Sequence, residues 1–469
     1  MVEFATRSAP AGLHARVSRR HLVWGSALST IGIVVMALTA WSTHEDQHYD
    51  DFGSALTVLA AVMGGALFLF GLGPFPSWLL GILGRCAVRL PLPMRLAARD
   101  VAGNRARTAP AVAATMVATA LAVAVMIIAV AITAQNRAEY QPQARPGTLM
   151  VRGFSAEEVA AVRTAVQQEL PGVPIAQIDR QRENGHFSLD VGNVELPDLE
   201  MVAPAGLIGD QALLRYLTGD PSTPYDENTA VVVTSDDVEA DKVTIYYDFD
   251  STRNDESLLT KSVPAIVAKP ADPHVKELFL PAKVMRDLGY NLEPEGLIID
   301  PSIHRTTLIE QERLDRRLGD TATTYVERGF QASTGWRLFV VAAVVVALGS
   351  ALAVTGRVGG SRSGRVLLRV SGGSTAILRL FAACRVGFGA ACGTALGAAA
   401  GCAIGLLLAW PMTASIEWDA VPRVAFDTPW PLISALVIGL PVLAAAVAGL
   451  ALPGMTARVA SSDGPRGSQ

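Results

Sequence analysis

Six apolar runs punctuate the chain: Leu22 to Trp41, Phe52 to Gly73, Thr108 to Ala134, Trp336 to Thr355, Ala383 to Trp410 and Trp430 to Leu452. As a helix, each is long enough to cross a hydrocarbon core of about 30 Å. Between the third and fourth, Gln135 to Gly335 has the mixed pattern of a folded soluble region, and it is too long for a connecting loop. The pattern predicts an α-helical polytopic membrane protein of six spans with one inserted α+β domain.

Period-two and helical patterns alternate within that domain. Thr148 to Gly153 reads as a strand, and Ser155 with Glu158 reads as a capping box opening a helix to Leu170, stopped by Pro171-Gly172. Val173 to Ile178 is then a second strand. Further β-branched runs lie at Ala230 to Thr234, Lys242 to Tyr247, Ser262 to Ala268, Leu297 to Ile299 and Thr323 to Glu327. Helices are expected at Pro281 to Leu288 and Thr306 to Leu318, with a less regular insertion around Asp248 to Leu258.

Charge sorts the segments by side. Of the 469 residues 17% are charged, and the net charge of -4 conceals a strong asymmetry. Arg16, Arg19 and Arg20 precede the first run; Arg85, Arg89, Arg95, Arg99, Arg105 and Arg107 precede the third; Arg357, Arg362, Arg365, Arg369, Arg379 and Arg385 flank the fourth and fifth. By the positive-inside rule these are cytoplasmic. Ser42 to Asp51 is acidic without Lys or Arg, and the inserted domain is rich in Asp and Glu, so both belong outside. One alternating path fits: cytoplasmic residues 1–21, a two-helix hairpin 22–73, a basic interfacial segment 74–107, a span 108–134, an extracytoplasmic domain 135–335, three spans within 336–452, and a cytoplasmic tail 453–469. Trp24, Trp41, Trp78, Trp336, Trp410 and Trp430 lie near the expected span ends, where indole favours the headgroup layer.

The first run is longer than a signal-peptide core and lacks a small-x-small exit before Trp41, so it reads as a retained span. Cys86, Cys384, Cys392 and Cys402 fall in membrane or cytoplasmic segments, leaving the outer domain without disulfides. Met94 to Arg107 suits an interfacial helix, and Pro110 suits the first turn of the third span. In the fifth, Gly389, Gly393, Gly397, Gly401 and Gly405 recur every fourth residue, a face for close helix packing within the chain or across a dimer.

Candidate chemistry is sparse. His44-Glu45-Asp46-Gln47-His48 matches the zinc pattern H-E-x-x-H, yet it occupies a short loop between spans and reads as a solvated acidic turn. Gly359 to Arg365 resembles a phosphate loop but has Arg365 and Val366 where Lys and Ser/Thr are needed, so nucleotide would bind another subunit. His186, His274 and His304 are scattered. No metal, cofactor or nucleic acid is expected. The basic, acid-free stretch Arg365 to Arg385 is broken by Gly372-Gly373 and can either present a knob to a cytosolic partner or lie as an anchor on anionic lipid.

The order of parts, with MRLAARDVAGNRARTAPAVAATMVATALAV at Met94 to Val123 and LLRVSGGSTAILRL at Leu367 to Leu380, resembles the FtsX-like permease family of ABC transporters, of the MacB and LolC/LolE type. The resemblance covers Met94 to Leu452 and looks like the C-terminal half of a ten-span permease. Ser371-Gly372-Gly373 stands where the family has Leu-Gly-Ala, and Cys384 stands about where a glutamate opens the next helix. It implies a permease subunit in a bacterial plasma membrane with both termini cytoplasmic and no ATPase of its own. A cytoplasmic ABC ATPase would push a coupling segment, residues 357–385, at Arg369, Ser371, Gly372, Gly373 and Arg379. A second permease half or a homodimer partner completes the assembly, and membrane lipid surrounds it. Work would be done on a lipid, lipoprotein, peptide or antibiotic. An alternative is a signalling protein whose outer domain controls a cell-wall hydrolase or senses a peptide.

Overall fold

The computed structural model describes residues 11–43, 51–86, 92–182, 186–191, 207–248, 259–273, 275–359, 375–414 and 422–450. The chain divides into two compact units: Met1–Tyr140 with Ala332–Gln469, and Gln141–Gln331.

The first unit is helical. Its described helices are α1 (Ala11–Ser42), α2 (Asp51–Gly71), α3 (Phe75–Cys86), α4 (Leu92–Gly103), α5 (Arg105–Glu139), α10 (Thr334–Gly359), α11 (Thr375–Met412) and α12 (Trp430–Leu450), with α6 to α9 in the second unit. Among the described residues five stretches, Arg20–Ser42, Thr108–Glu139, Thr334–Ala353, Arg379–Met412 and Trp430–Leu450, are long and apolar enough to cross a membrane. Ala55–Gly71 and Phe75–Ile82 qualify only together, as a pair bent by 42°. The expected second span, Phe52 to Gly73, is α2, and the apolar stretch continues past it into α3, within the segment 74–107 expected to be interfacial: Pro74 can neither donate a backbone bond nor continue α2, and the chain turns at Leu72 to Pro74.

Helix limits differ from the apolar runs for local reasons. The third run stops at Ala134, but α5 continues through polar residues to Glu139, where Gln135 Nε2 donates to Glu139 Oε1 at 2.7 Å one turn on. The expected interfacial helix at Met94 to Arg107 ends instead at Gly103, and Asn104 separates it from α5. Pro110 therefore lies inside the second turn of α5 rather than its first. The helix expected from Ala383 begins at Thr375, so the end of the basic stretch is the start of α11.

Three clusters hold the helices together. α5, α10, α11 and α12 share one apolar core containing Ile127, Ala347, Ala390, Leu436 and Ala444. Met36, Phe68, Ala124 and Ile404 join α1 and α2 to α5 and α11. Leu80, Val101, Val112 and Cys392 join α3 and α4 to the same pair. In lipid such contacts gain little from the hydrophobic effect and depend on close packing. Gly32 illustrates this: a Cβ there would lie 2.5 Å from Gly64 O and Phe68 N.

The second unit is α+β. Its described strands are β1 (Leu149–Arg152), β2 (Ala176–Gln181), β3 (His186–Asp190), β4 (Leu207–Gly209), β5 (Ala230–Val233), β6 (Lys242–Asp248), β7 (Leu259–Ala268), β8 (Glu277–Pro281), β9 (Leu292–Ile299) and β10 (Thr323–Val326). They form one sheet in the order β10-β1-β9-β2-β4-β8-β5-β7-β6-β3, antiparallel except for β4 with β8 and β5 with β7. Alternation decides the layers. Leu149, Val151, Leu297 and Ile299 face α6 (Val159–Glu169) and α9 (Leu308–Leu318), while Met150, Ile298, Val231 and Phe279 face α7 (Gln211–Thr218). Ala230, Val232, Leu278 and Leu280 pack with Val284 and Met285 of α8 (Ala282–Asp287).

Several expected boundaries shift. Ser155 N and Oγ both donate to Glu158, at 2.9 and 2.8 Å, but this pair closes a turn before the helix, which begins at Val159. The second strand starts at Ala176 rather than Val173, after Pro174, which has no N–H for a ladder. The helix expected from Thr306 starts at Leu308, and its cap is a true reciprocal box: Glu310 N donates to Thr307 Oγ1 while Thr307 N donates to Glu310. β3, β4, β8, α3 and α7 were not legible. α7 is held by Asp210, which accepts from Leu213 N, and it ends at Gly219, whose φ of 66° only glycine adopts without strain. The expected insertion at Asp248 to Leu258 lies, apart from Asp248, outside the described residues.

Candidate functional site

The glycine row of α11 lies against α5. A Cβ on Gly393 would come within 2.9 Å of Val112 O, on Gly397 against Met116 O, on Gly401 within 2.5 Å of Ala120 O, and on Gly405 within 3.2 Å of Ala124 Cα and 2.9 Å of Ile127 Cβ. Gly389 is buried one turn earlier. Both partners advance by about four residues per contact and in the same sense, so α5 and α11 run parallel with their backbones touching through the seam. Only the short, β-branched side chains of Thr115, Thr119, Val123 and Ile127 border the glycines, so there is little slack to absorb sliding and displacement of one helix reaches the other directly.

An ion pair marks one end of the seam. Arg385 Nε of α11 lies 2.8 Å from Asp100 Oδ2 of α4, and the two side chains are 7% and 24% exposed. Asp100 reached α11 because α4 buries Ala97, Ala98 and Val101, which turns the next face of the helix toward it. Asn104 Nδ2 donates to Asp100 Oδ1 at 3.1 Å, so the carboxylate also fixes the break between α4 and α5.

A second knot lies about 38 Å along α11, by helical rise from Arg385 to Trp410. Arg423 Nε donates to Thr413 Oγ1 at 3.1 Å, and its Nη2 donates to Trp410 O at 3.1 Å and to Thr43 O at 3.0 Å. Its guanidinium sits 4.7 Å from the Trp410 ring centroid. Val424 N donates to Gln135 Oε1 at 3.0 Å. One segment thus joins the ends of α1, α5 and α11 just before α12.

In the second unit the carboxylate of Glu327, 1% exposed, accepts from Gln143 N at 3.1 Å, Tyr325 Oη at 3.1 Å and Gly329 N at 2.7 Å. It clasps the segments by which the chain enters and leaves the unit together. Nearby, Arg145 Nη2 lies 2.6 Å from Asp300 Oδ1, and its guanidinium covers the Tyr216 ring at 4.5 Å.

Burial pushes the Glu277 carboxyl above its ordinary value. The native state then holds this proton to higher pH than the unfolded chain does, so the stabilising contribution is greatest in acid and is lost as pH rises through the raised value. Glu277→Gln is expected to raise the melting temperature near neutral pH and leave it nearly unchanged below about pH 4. Thermal unfolding at both pH values checks this, and an equal shift at both would contradict it.

Of the coupling residues read from sequence, Arg369, Ser371, Gly372 and Gly373 lie outside the described residues, as do His44 to His48. Arg379 is exposed in the first turns of α11. Asp100, Gln135, Arg423 and Glu327 were not singled out. Asp100 and Arg423 each carried a signal: the first is the single acid of residues 74–107, the second the single base between Pro411 and Pro429. Among the described residues no group of three His, Cys, Asp or Glu gathers as a metal site. No protein-family model matches the chain, and no curated protein gives a significant match.

Proposed function

We propose that the chain is the permease subunit of an ABC transporter of the FtsX-like type, in which a separate ATPase moves the helices and the helices move the inserted domain. The observation that carries this reading is the parallel seam of α11 on α5. α11 is one rod from Thr375, next to the segment bearing Gly372 and Gly373, to Met412. α5 is the helix from which the chain passes into the second unit at Gln141. A push at the start of the rod reaches α5 through four close glycine contacts bordered by stiff β-branched side chains.

In this reading the bent pair α2 and α3 counts as one span, giving six. The basic ends lie in the cytoplasm of a bacterial cell, and the second unit lies outside the plasma membrane. The Asp100 to Arg385 pair would fix α4 to the driven rod, and the Arg423 knot would hold the far ends of α1, α5 and α11 in step. The substrate would be handled outside or in the outer leaflet, as a lipid, lipoprotein, peptide or antibiotic. A second permease half or a second copy would complete the subunit pair.

Mild-detergent purification from the native membrane tests this. Wild type is expected to bring down an ATPase, and the Gly372→Asp, Gly373→Asp double variant is expected to lose it while remaining folded. Recovery of no ATPase with wild type, or ATP hydrolysis by the chain alone, would overturn the proposal.

A further inference from the structure

We infer that Ile303, Leu308 and Ile309 insert into the headgroup layer of the membrane, making one end of the second unit a lipid-contacting edge. The inference rests on the membrane reading of the first unit and needs no ATPase.

These three side chains are 58%, 64% and 67% exposed, a concentration of bare aliphatic surface within seven residues of an otherwise well-covered domain. Their place in the topology says what covers them. β9 ends at Ile299 opposite Leu149, where β1 begins, and Leu149 also faces Val326, where β10 ends. The loop carrying Ile303 therefore leaves the sheet at the end where the chain arrives from α5 and departs for α10. From Val326 to Thr334, the first residue of α10, the chain spans at most about 28 Å fully extended. Trp336 stands two residues further on, at the start of an apolar span. This covalent tether keeps that end of the unit within reach of the bilayer.

The loop is built to hold its shape. Asp300 accepts from Ser302 N and Oγ at 2.8 and 2.7 Å and pairs with Arg145, while Ile303 N donates to Asp300 O at 3.1 Å. His304 Nε2 lies 3.4 Å from Glu310 Oε2, and the Thr307 box fixes the first turn of α9. Presenting the apolar groups thus costs little further ordering. Arg305, exposed between them, supplies a cation for lipid phosphate while the aliphatic groups reach the acyl boundary.

The test uses the full chain in nanodiscs of phosphatidylcholine and phosphatidylglycerol, with Cys86, Cys384, Cys392 and Cys402 replaced by alanine. An environment-sensitive fluorophore is placed by Ile309→Cys or, past the other end of β10, by Asp320→Cys. The label at 309 is expected to emit blue-shifted light and to be quenched at least about twofold more by doxyl-labelled lipid than the label at 320. Red-shifted, unquenched emission at 309 would place it in water and overturn the inference. Blue-shifted emission that doxyl lipid does not quench would also overturn it, because protein would then be the cover.

Discussion

Gly397→Leu is expected to abolish recovery of monodisperse protein in mild detergent. A Cβ at this position already abuts Met116 O and lies 2.8 Å from Thr119 Cβ, and the first of these is backbone, which cannot rotate away. The added side chain must push α5 from α11 along the seam, since the next contact at Gly401 is nearly as close, at 2.5 Å, and that at Gly393 leaves only 2.9 Å. Ordinary overpacking costs about 1–3 kcal/mol, and parting two backbones lies at or above the upper limit. Gly397→Ala is expected to lower the melting temperature without preventing folding. Gly349→Ala and Gly439→Ala, where a Cβ meets nothing within 4 Å, are expected to have no measurable effect. Size-exclusion profiles and thermal unfolding of the four variants decide the matter; equal behaviour of Gly397→Ala and Gly439→Ala would remove the seam from the account.

The second large effect is expected at Arg385. Arg385→Met leaves Asp100 without its cation at a site where only 24% of the carboxylate side chain meets solvent. Breaking a buried pair from one side costs about 3–5 kcal/mol, whereas replacing both partners by apolar residues is often near neutral. Asp100→Leu with Arg385→Met should therefore be more stable than Arg385→Met alone. A double-mutant cycle on thermal stability reads the coupling directly, and additive single effects would show that the pair fixes nothing.

How much of this was legible follows from the range of each signal. The apolar runs and the long inserted region announce themselves, because a span must be apolar over its whole length and a folded domain cannot be. Helix ends were less readable: polar Gln135 to Glu139 extend α5 by a local bond that hydropathy does not register. In the second unit, β5 and β9 stood out as apolar runs, but β4 is three residues long and takes its place only through β2 and β8. The glycine period in α11 was visible as a face, whereas its partner was not, since Val112, Met116, Ala120 and Ile127 carry no mark that distinguishes them from residues facing lipid. Asp100 and Arg423 were visible as lone charges of the wrong sign, and their meaning required the distant residues Arg385 and Thr43 that meet them.

The central proposal is that ATP bound elsewhere moves α5 and α10, and with them the second unit. The direct measurement places spin labels by Asn136→Cys near the end of α5 and Ser333→Cys beside the start of α10, both exposed positions, in the complex purified with its ATPase. Electron-spin distance distributions are then compared without nucleotide and with ADP and vanadate trapped after ATP hydrolysis. The proposal requires a distinct distribution in the trapped state that is absent when the labelled chain, freed of its ATPase, receives the same nucleotide and vanadate. Identical distributions in a complex that still hydrolyses ATP would contradict it.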